Sequence, residues 1–366
     1  MSSRLKRFTD WLKEEDIDFA FVTDPTNVFY YTGFMCHPHE RVLALVAFPE
    51  AEPFLFCPSL EVRQAKASGW PYDVIGYNDD ENPWEKIRRA LADRGIGQNV
   101  TVAIETDTLP YGRSEAIKRF AESVRFVSAE GAINAQRLIK DEAELASLKK
   151  AAELADYAVQ IGKNAIKKGK TEQAIVAEIE YELKKRGVEG MAFTTMVLVG
   201  QNSALPHGVP GDRQIREGDF VLFDLGVIAD GYCSDITRTF VYKHASDEQI
   251  AIYETVLKAE EAAIRAATAG TVIADVDRTA RRIITDAGYG EYFTHRVGHG
   301  LGLGAHEAPS MSGDNLDVIK TGMVFTIEPG IYVPEIGGVR IEDDIYVGEA
   351  GPVCLTSFPK QLEIIP

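Results

Sequence analysis

Short apolar runs alternate with helical patterns over the first third of the chain. Apolar residues three or four positions apart at Leu5, Phe8 and Leu12 predict one face of a helix. The apolar run 19–22 has the length of a buried strand, and the pair Asp24-Pro25 ends it. Further strands are predicted over 42–48, 54–56, 100–104 and 124–127, and helices over 61–67, 84–91 and 113–121. This alternation predicts an α/β domain, which we place at residues 1–130.

From residue 131 onward the pattern is a long helix, a shorter helix and then strands, and it occurs twice. The first round predicts helices over 141–168 and 171–187 and strands over 192–199 and 220–240. The second round predicts helices over 246–270 and 276–288 and strands over 324–327 and 339–347. Repetition of the whole pattern predicts a duplicated half-domain, and residues 131–366 then form a second domain.

One apolar segment of this second domain, residues 220–240, contains two acids, Asp224 and Asp235. Its turn dipeptide Asp230-Gly231 predicts a two-residue hairpin loop, because both positions tolerate positive φ. In that register Asp224 faces Thr237, and the two acids share one sheet face at roughly 7–8 Å. Acids on an apolar face are costly to bury without a partner, so we expect them to bind a shared ion or pair of ions. The alternative, an exposed edge hairpin, is disfavoured because the flanking residues are apolar.

The second round of strands also contains acids in apolar runs, Glu328 and Glu342. Each half-domain thus contributes a pair of carboxylates. The segment 295–307 between them contains three histidines among four glycines, His295, His299 and His306. Glycine lets backbone approach a site closely, so this segment is better explained by a site than by structural histidines.

Composition narrows the class of protein. The chain has 366 residues with 45% hydrophobic and 26% charged residues, which is typical of a soluble globular protein of two domains. Its net charge of −17 argues against a nucleic-acid or anionic-membrane partner. The four cysteines form no C-x-x-C pair, and no segment has the character of a signal peptide or a membrane helix. These features predict a cytoplasmic enzyme or binding protein.

Charge balance favours a centre of two metal ions. The four carboxylates carry a charge that two divalent ions neutralise, and a neutral histidine completes the ligand set. Oxygen ligands with one imidazole suit Mn²⁺ or Co²⁺, with Zn²⁺ as a further possibility. Two such ions can hold and deprotonate a bridging water and polarise a carbonyl, which predicts hydrolysis of an amide or an ester.

The ligand series resembles a known family. It looks like the series of metal ligands of the pita-bread metallopeptidases, the family of methionine aminopeptidase, aminopeptidase P and prolidase. The residues in order are Asp224, Asp235, His299, Glu328 and Glu342. The motifs GHGLGLGAHE and IEPGIYVPEIGGVRIEDD are similar to its proline-specific branch. The resemblance covers the whole chain. It implies an α/β N-terminal domain followed by an α+β pita-bread catalytic domain with an internal pseudo-twofold repeat.

The resemblance also implies a role for each ligand. Asp224 would chelate one ion, and Asp235 and Glu342 would bridge both. His299 and Glu328 would bind the other ion. A hydroxide held between the ions would be the nucleophile, and Glu328 would carry protons as general base and acid.

Further residues are implied to contact the substrate or to orient the ligands. His207 and His306 match the two histidines that contact substrate and the developing oxyanion, where donors act mainly on rate. Arg340, two residues before Glu342 on a predicted strand, would orient the bridging carboxylates. Thr237 would act in the same way, and His295 is a further candidate for substrate binding.

The substrate class is the harder question within this branch. The loop at residues 37–41 is similar to the loop of bacterial prolidases that reaches over the partner subunit's active site, so His39 and Arg41 are predicted to bind substrate in a homodimer. An arginine there could bind the free carboxylate of a dipeptide. Many prolidases have an arginine shortly after the His-Glu pair, whereas this chain continues from His306-Glu307 with Ala308-Pro309-Ser310.

We therefore expect a dinuclear Xaa-Pro dipeptidase that takes proline-containing peptides. The alternatives are an aminopeptidase P that acts on longer Xaa-Pro peptides, a creatinase-type hydrolase that works without metal, and an inactive binding module on the same scaffold. The complete set of five ligands argues against the last two.

Overall fold

The computed structural model of the protein describes residues 2–366. It contains two compact units, of which the first ends at Arg137 and the second begins at Leu138. The predicted domain boundary between residues 130 and 131 lies at the beginning of the helix Glu130–Leu138.

The first unit is built on a six-stranded mixed sheet. Its strands are β1 (Phe19–Val22), β2 (Ala44–Ala47), β3 (Phe54–Pro58), β4 (Asp73–Tyr77), β5 (Asn99–Ile104) and β6 (Ser123–Ser128). Their order is β4-β3-β2-β1-β5-β6, with β1 antiparallel to β2 and parallel to β5. The helices up to the unit boundary are α1 (Ser3–Glu14), α2 (Pro25–Thr32), α3 (Val62–Ala67), α4 (Pro83–Ala92), α5 (Tyr111–Ile117) and α6 (Glu130–Leu138). The predicted α/β architecture is confirmed.

The sequence patterns missed three of these elements: α2, β4 and α6. We interpreted Asp24-Pro25 only as the end of a strand, but it also begins a helix. The carboxylate of Asp24 accepts hydrogen bonds from the N–H groups of Thr26 and Asn27 at 2.9 and 3.1 Å, and Pro25 occupies the first helical position, where its missing N–H costs nothing.

The second unit repeats a helix pair and a sheet. Its helices are α7 (Glu142–Ala165), α8 (Glu172–Lys185), α9 (Asp247–Ala266) and α10 (Ile273–Asp286). Its strands up to α9 are β7 (Gly190–Met191), β8 (Met196–Val199), β9 (Phe220–Leu225), β10 (Val227–Ala229), β11 (Tyr232–Cys233) and β12 (Ile236–Tyr242). The later strands are β13 (Gly298–Gly300), β14 (Glu307–Met311), β15 (Val324–Ile327), β16 (Gly330–Val333), β17 (Gly337–Arg340), β18 (Asp343–Gly348), β19 (Gly351–Cys354) and β20 (Ile364–Ile365).

Two hydrophobic cores fill this unit, one for each round of the repeat. In the first, Val159 of α7 and Ile175 of α8 are buried with Phe223 of β9. In the second, α9, α10 and β15 form the matching core. The main sheets have the orders β20-β12-β9-β8 and β14-β13-β15-β18-β19. The predicted duplication is thus visible as two helix pairs, each buried against its own sheet.

The predicted hairpin has the predicted register. Ala229 pairs with Tyr232 and Asp224 pairs with Thr237. The turn residues Asp230 and Gly231 have φ values of 51° and 79°, so both occupy the left-handed region that a two-residue loop requires.

One predicted strand is wrong. Residues 339–347 do not form a continuous strand but belong to β17 and β18, which lie in different sheets. Glu342 lies between the two, where its N–H donates to Thr237 O at 3.2 Å and its carbonyl accepts from Arg238 Nη1 at 2.6 Å. These contacts hold the backbone of Glu342 across to β12. Arg340 and Glu342 therefore do not share one strand face as predicted, although both residues line the same cavity.

Candidate metal centre and active site

A cavity of about 440 Å³ lies in the second unit. Both rounds of the repeat contribute to its wall. The lining residues are Phe193, Met196, Pro206, His207, Asp224, Asp235, His295, Arg296, His299, His306, Glu328, Arg340 and Glu342. Nine of the twelve site residues predicted from the sequence therefore line one cavity.

The first round supplies two acids through the hairpin. Asp224 lies within β9, and Asp235 lies just before β12. Both are buried, with 7% and 3% exposure. One carboxylate oxygen of each lies within 4.8 Å of the other and of an oxygen of Glu342. Three acids from both halves of the unit thus converge on a volume the size of a metal site.

The second round supplies a histidine and two glutamates. Nε2 of His299 lies 3.3 Å from Glu328 Oε1 and 3.7 Å from Asp235 Oδ2. Ligand atoms of His299, Glu328 and Glu342 form a second group within 4.8 Å. The two groups share Glu342, which fits a carboxylate that touches two neighbouring ions.

Glycines on either side of His299 allow β13 to lie between β14 and β15. A Cβ on Gly298 would lie 2.0 Å from the carbonyl oxygen of Thr326, and one on Gly300 would lie 2.0 Å from that of Ala308. No side chain fits at either position. The glycine-rich sequence therefore places the imidazole of His299 on a strand that is closely packed on both sides.

The electrostatics of the cavity test whether these residues fit metal ions. Burial, followed by the charges of neighbouring acids, raises the pKa of Asp235 and of Glu342 well above their ordinary values. Burial also raises the pKa of Glu328 to about 7. Asp224 Oδ1 and Asp235 Oδ1 are buried with no hydrogen-bond partner. Crowded carboxylates with orphaned oxygens require positive charge, and divalent ions fit this donor set.

The imidazole of His299 is suited to the same purpose. Burial lowers its pKa to about 3, so the ring is neutral and needs no deprotonation before it binds a metal. Its Nδ1 lies 3.2 Å from the carbonyl oxygen of Gly300, a contact that leaves Nε2 directed towards Asp235 and Glu328.

Arg340 is the guanidinium that contacts the acids. It forms a buried ion pair with Asp224, donates from Nε to Thr237 Oγ1 at 3.2 Å and donates from Nη1 to Tyr332 Oη at 2.8 Å. Thr237 in turn donates to Glu342 Oε2 at 2.6 Å. Arg340 therefore contacts one carboxylate directly and a second through Thr237, and its use as an orienting residue stays a prediction.

Two histidines at the cavity are exposed on one side. The ring of His306 stacks on that of His299, with centroids 3.7 Å apart. Burial of the remaining part, followed by the charge of Arg296, lowers the pKa of His306. His207 reaches the cavity from the loop that follows β8. Both rings are placed where they could contact a substrate beside the acids.

His295 differs from these two because its nitrogens have partners within the protein. Nδ1 lies 2.8 Å from the carbonyl oxygen of Arg296, and Nε2 lies 2.8 Å from Tyr332 Oη. Since a carbonyl only accepts, Nδ1 carries the proton and Nε2 accepts from the tyrosine. Burial lowers the pKa of this histidine to about 4. A hydrogen bond from His295 to substrate would replace one of these contacts.

His39 and Arg41 belong to the first unit. Arg41 donates to both oxygens of Asp79 at 2.8 and 2.9 Å and forms an ion pair with Glu40 at 3.0 Å. His39 has a positive φ of 55°. The role of this loop in substrate binding stays a prediction.

Several residues at the site escaped the sequence analysis. Two examples are Tyr332 and Arg296. Neither belongs to the series of metal ligands, and no second polar residue in a regular spacing marks either of them. Arg238 is another: it is buried to 1% exposure, and its guanidinium donates to Asp343 Oδ1 at 2.7 Å and to the backbone of Glu342. An arginine within the apolar strand run 236–242 was the available signal for a buried partner.

Comparison with known proteins places both units in described families. The sequence model of metallopeptidase family M24 matches residues 146–349, and that of the Creatinase/Prolidase N-terminal domain matches residues 4–139. The first of these matches lies wholly within the second unit, and the other ends at residue 139, close to the boundary after Arg137.

Similar proteins are related over their whole length. A Bacillus subtilis protein, YkvY, whose name describes it as a candidate dipeptidase, is 54% identical over 363 residues, 99% of this chain and 100% of that protein. The Xaa-Pro dipeptidase of Lactobacillus delbrueckii subsp. lactis is 44% identical over 364 residues, 99% of each chain. The crystal structure of the prolidase from Pyrococcus horikoshii OT3 superposes with a TM-score of 0.91 at 38% identity, covering 99% of this chain and 100% of that one.

The helices were also compared with the requirements of a membrane span. No helix in residues 2–366 is both long enough and apolar enough to cross a lipid bilayer.

Proposed function

The chain belongs to metallopeptidase family M24, and on that premise we propose that it is a Xaa-Pro dipeptidase, which hydrolyses the bond before the proline of a dipeptide. The observation that carries this proposal is the convergence of four carboxylates and His299 on one cavity with His207 and His306 at its edge. The full-length similarity to a Xaa-Pro dipeptidase and to a prolidase supports the substrate class.

Two divalent ions would complete the site. Asp224, Asp235 and Glu342 would hold one, and His299, Glu328 and Glu342 would hold the other, with Asp235 also between them. Mn²⁺ suits this oxygen-rich set, and Co²⁺ and Zn²⁺ are the alternatives. The ions would supply Lewis-acid polarisation of the scissile carbonyl and of the attacking water.

Glu328 is proposed to carry protons. Its carboxylate lies at the cavity wall, with Oε1 accepting from Thr326 Oγ1 at 3.3 Å and lying 3.3 Å from His299. A carboxylate held in this position can take a proton from the attacking water and then give one to the leaving amine. The secondary amine of proline needs that proton in order to leave.

His207 and His306 are proposed to donate hydrogen bonds to the substrate. They lie at the open side of the cavity, where the carbonyl of a bound peptide would enter. Donors that meet the oxygen as it gains negative charge stabilise the transition state more than the ground state, and therefore affect kcat more than KM. Arg340 and Thr237 would keep the acids in place, and His295 would support the substrate side of the cavity.

The first unit is proposed to complete substrate binding in a homodimer, through His39 and Arg41 of a second copy. The net charge of −17 is consistent with a small peptide substrate and disfavours nucleic acid and anionic membranes. The absence of a C-x-x-C pair from the sequence fits a cytoplasmic location.

The deciding experiment compares substrates of two lengths. Manganese-loaded protein should hydrolyse Leu-Pro with a higher kcat/KM than Leu-Pro-Ala, and chelation should abolish both activities. Preference for the tripeptide would indicate an aminopeptidase P instead. Activity that survives chelation would indicate a hydrolase of the creatinase type, and metal-loaded protein without any peptidase activity would indicate a binding module.

A further inference from the structure

A dipeptide has a free carboxylate one residue away from the bond that is cut. Since an extended residue spans at most about 3.6 Å, this carboxylate must lie in the same cavity as the metal ligands. The two ions proposed for the cavity are balanced by its four carboxylates, so they leave no net positive charge for a fifth carboxylate. The cavity therefore needs a cation that is not already paired with an acid.

We infer that Arg296 is this cation and that it binds the C-terminal carboxylate of the dipeptide. The inference rests on the proposed dipeptidase function and assigns the residue that discriminates a dipeptide from a longer peptide. Arg296 lines the cavity beside His306 and Glu328, and its side chain is half-buried.

The guanidinium of Arg296 is held in place but not neutralised. Its Nη1 donates to Ser310 Oγ at 3.0 Å across to β14. Within residues 2–366 the structure gives it no carboxylate partner. A guanidinium has five N–H donors in a planar fork, so most of them remain available for a carboxylate.

The two other arginines predicted to serve the site are already bound to acids. Arg340 forms a buried ion pair with Asp224, and its remaining donors meet Thr237 and Tyr332. Arg41, predicted from the loop resemblance to bind the carboxylate, donates to both oxygens of Asp79. Each would have to break an ion pair in order to bind substrate, whereas Arg296 would not.

The test uses Leu-Pro and Leu-Pro-amide, which differ only in the charge of the C-terminal group. Replacing Arg296 by Gln should lower kcat/KM for Leu-Pro about 10- to 100-fold, the range expected for a charge-assisted hydrogen bond, mainly through KM. The amide should be hydrolysed as in the wild type. Arg296→Lys should recover part of the loss because it keeps the charge but not the fork. Arg265→Gln, which removes an exposed arginine on α9, is the matched control and should change neither substrate.

An equal loss for acid and amide in Arg296→Gln would overturn the inference, because it would indicate a structural role. Unchanged hydrolysis of both would overturn it as well. A loss specific to the acid in Arg41→Gln, with Arg296→Gln unaffected, would assign the carboxylate to Arg41.

A binding measurement separates this inference from the proposed function. The probe is Leu-Pro with its peptide bond reduced to a methylene amine, as the free acid and as the amide, titrated into manganese-loaded protein by calorimetry. The wild type should bind the acid more tightly, and Arg296→Gln should bind the two equally. If the wild type cleaves neither Leu-Pro nor Leu-Pro-Ala, the proposed function fails, and this affinity ratio still decides the role of Arg296.

Discussion

Thr237 donates a hydrogen bond of 2.6 Å from its hydroxyl to Oε2 of Glu342. The bond joins the hairpin of the first half of the catalytic unit to a carboxylate of the second half. Backbone supports it, because the N–H of Glu342 donates to Thr237 O at 3.2 Å. Arg340 Nε donates to the same hydroxyl at 3.2 Å. Thr237 therefore links the guanidinium of Arg340 to the carboxylate of Glu342 through hydrogen bonds.

Replacing Thr237 by Val should therefore weaken metal binding while it preserves shape. We expect the affinity for Mn²⁺ to fall about 10- to 100-fold, as is typical when the partner of a metal ligand is removed. Calorimetric titration of the metal-free protein measures this. Thr237→Ser keeps the hydroxyl and should bind Mn²⁺ like the wild type. If Thr237→Val also did so, the hydrogen bond would not position Glu342.

Replacing Arg340 by Met should destabilise the metal-free protein. The change leaves the buried carboxylate of Asp224 without its ion-pair partner, and breaking a buried pair in this way costs about 3–5 kcal/mol. Urea unfolding of chelated protein measures the loss. In a chain that also carries Asp224→Asn the same change should cost much less, since no charge is left unpaired. Equal costs in the two backgrounds would show that the pair is not coupled.

The sequence contained most of what was needed to predict the candidate metal site. The turn dipeptide Asp230-Gly231 predicted the register that brings Asp224 opposite Thr237, and the structure has that register. The family resemblance rested on five ligands in order, and the matches to the M24 and Creatinase/Prolidase models confirm it. The register was predictable because local rules, such as turn chemistry and strand alternation, determine the positions concerned, whereas the family was predicted from the resemblance.

What the sequence could not predict depends on contacts between distant segments. The strand around Glu342 is interrupted because Thr237 and Arg238, about a hundred residues earlier, bind its backbone. Two further hydrogen bonds likewise form only in the folded chain. One joins His295 to Tyr332, and the other joins Arg296 to Ser310. No periodicity within one segment carries such information, and these are the contacts that decide which polar groups remain available to a substrate.

Replacing Glu328 by Gln should remove turnover and preserve most of the structure. Loss of a general base and acid lowers kcat by about 10²- to 10⁴-fold, and the amide cannot accept the proton of water. Because Glu328 is also a proposed ligand, bound manganese must be measured in the same sample by elemental analysis. Glu335→Gln, at an exposed position in the turn after β16, is the control. Near-normal turnover with full metal content would remove Glu328 from its proposed role.

The metal-free protein should lose stability as the pH rises. The pKa of Glu328 is raised by burial from an ordinary 4.5 to about 7, so between these values the folded protein holds a proton that the unfolded chain has released. Stability is therefore highest below pH 4.5 as far as this group is concerned, and it falls as the pH rises to about 7. The pKa values of Asp235 and Glu342 are raised in the same direction.

Bound Mn²⁺ should abolish this fall in stability, because its charge replaces the protons. Melting temperatures of chelated protein at about pH 5 and pH 8 and constant ionic strength test this. The melting temperature should be lower at about pH 8 than at about pH 5, and Glu328→Gln should reduce this difference. An equal or higher melting temperature at the higher pH would contradict the prediction.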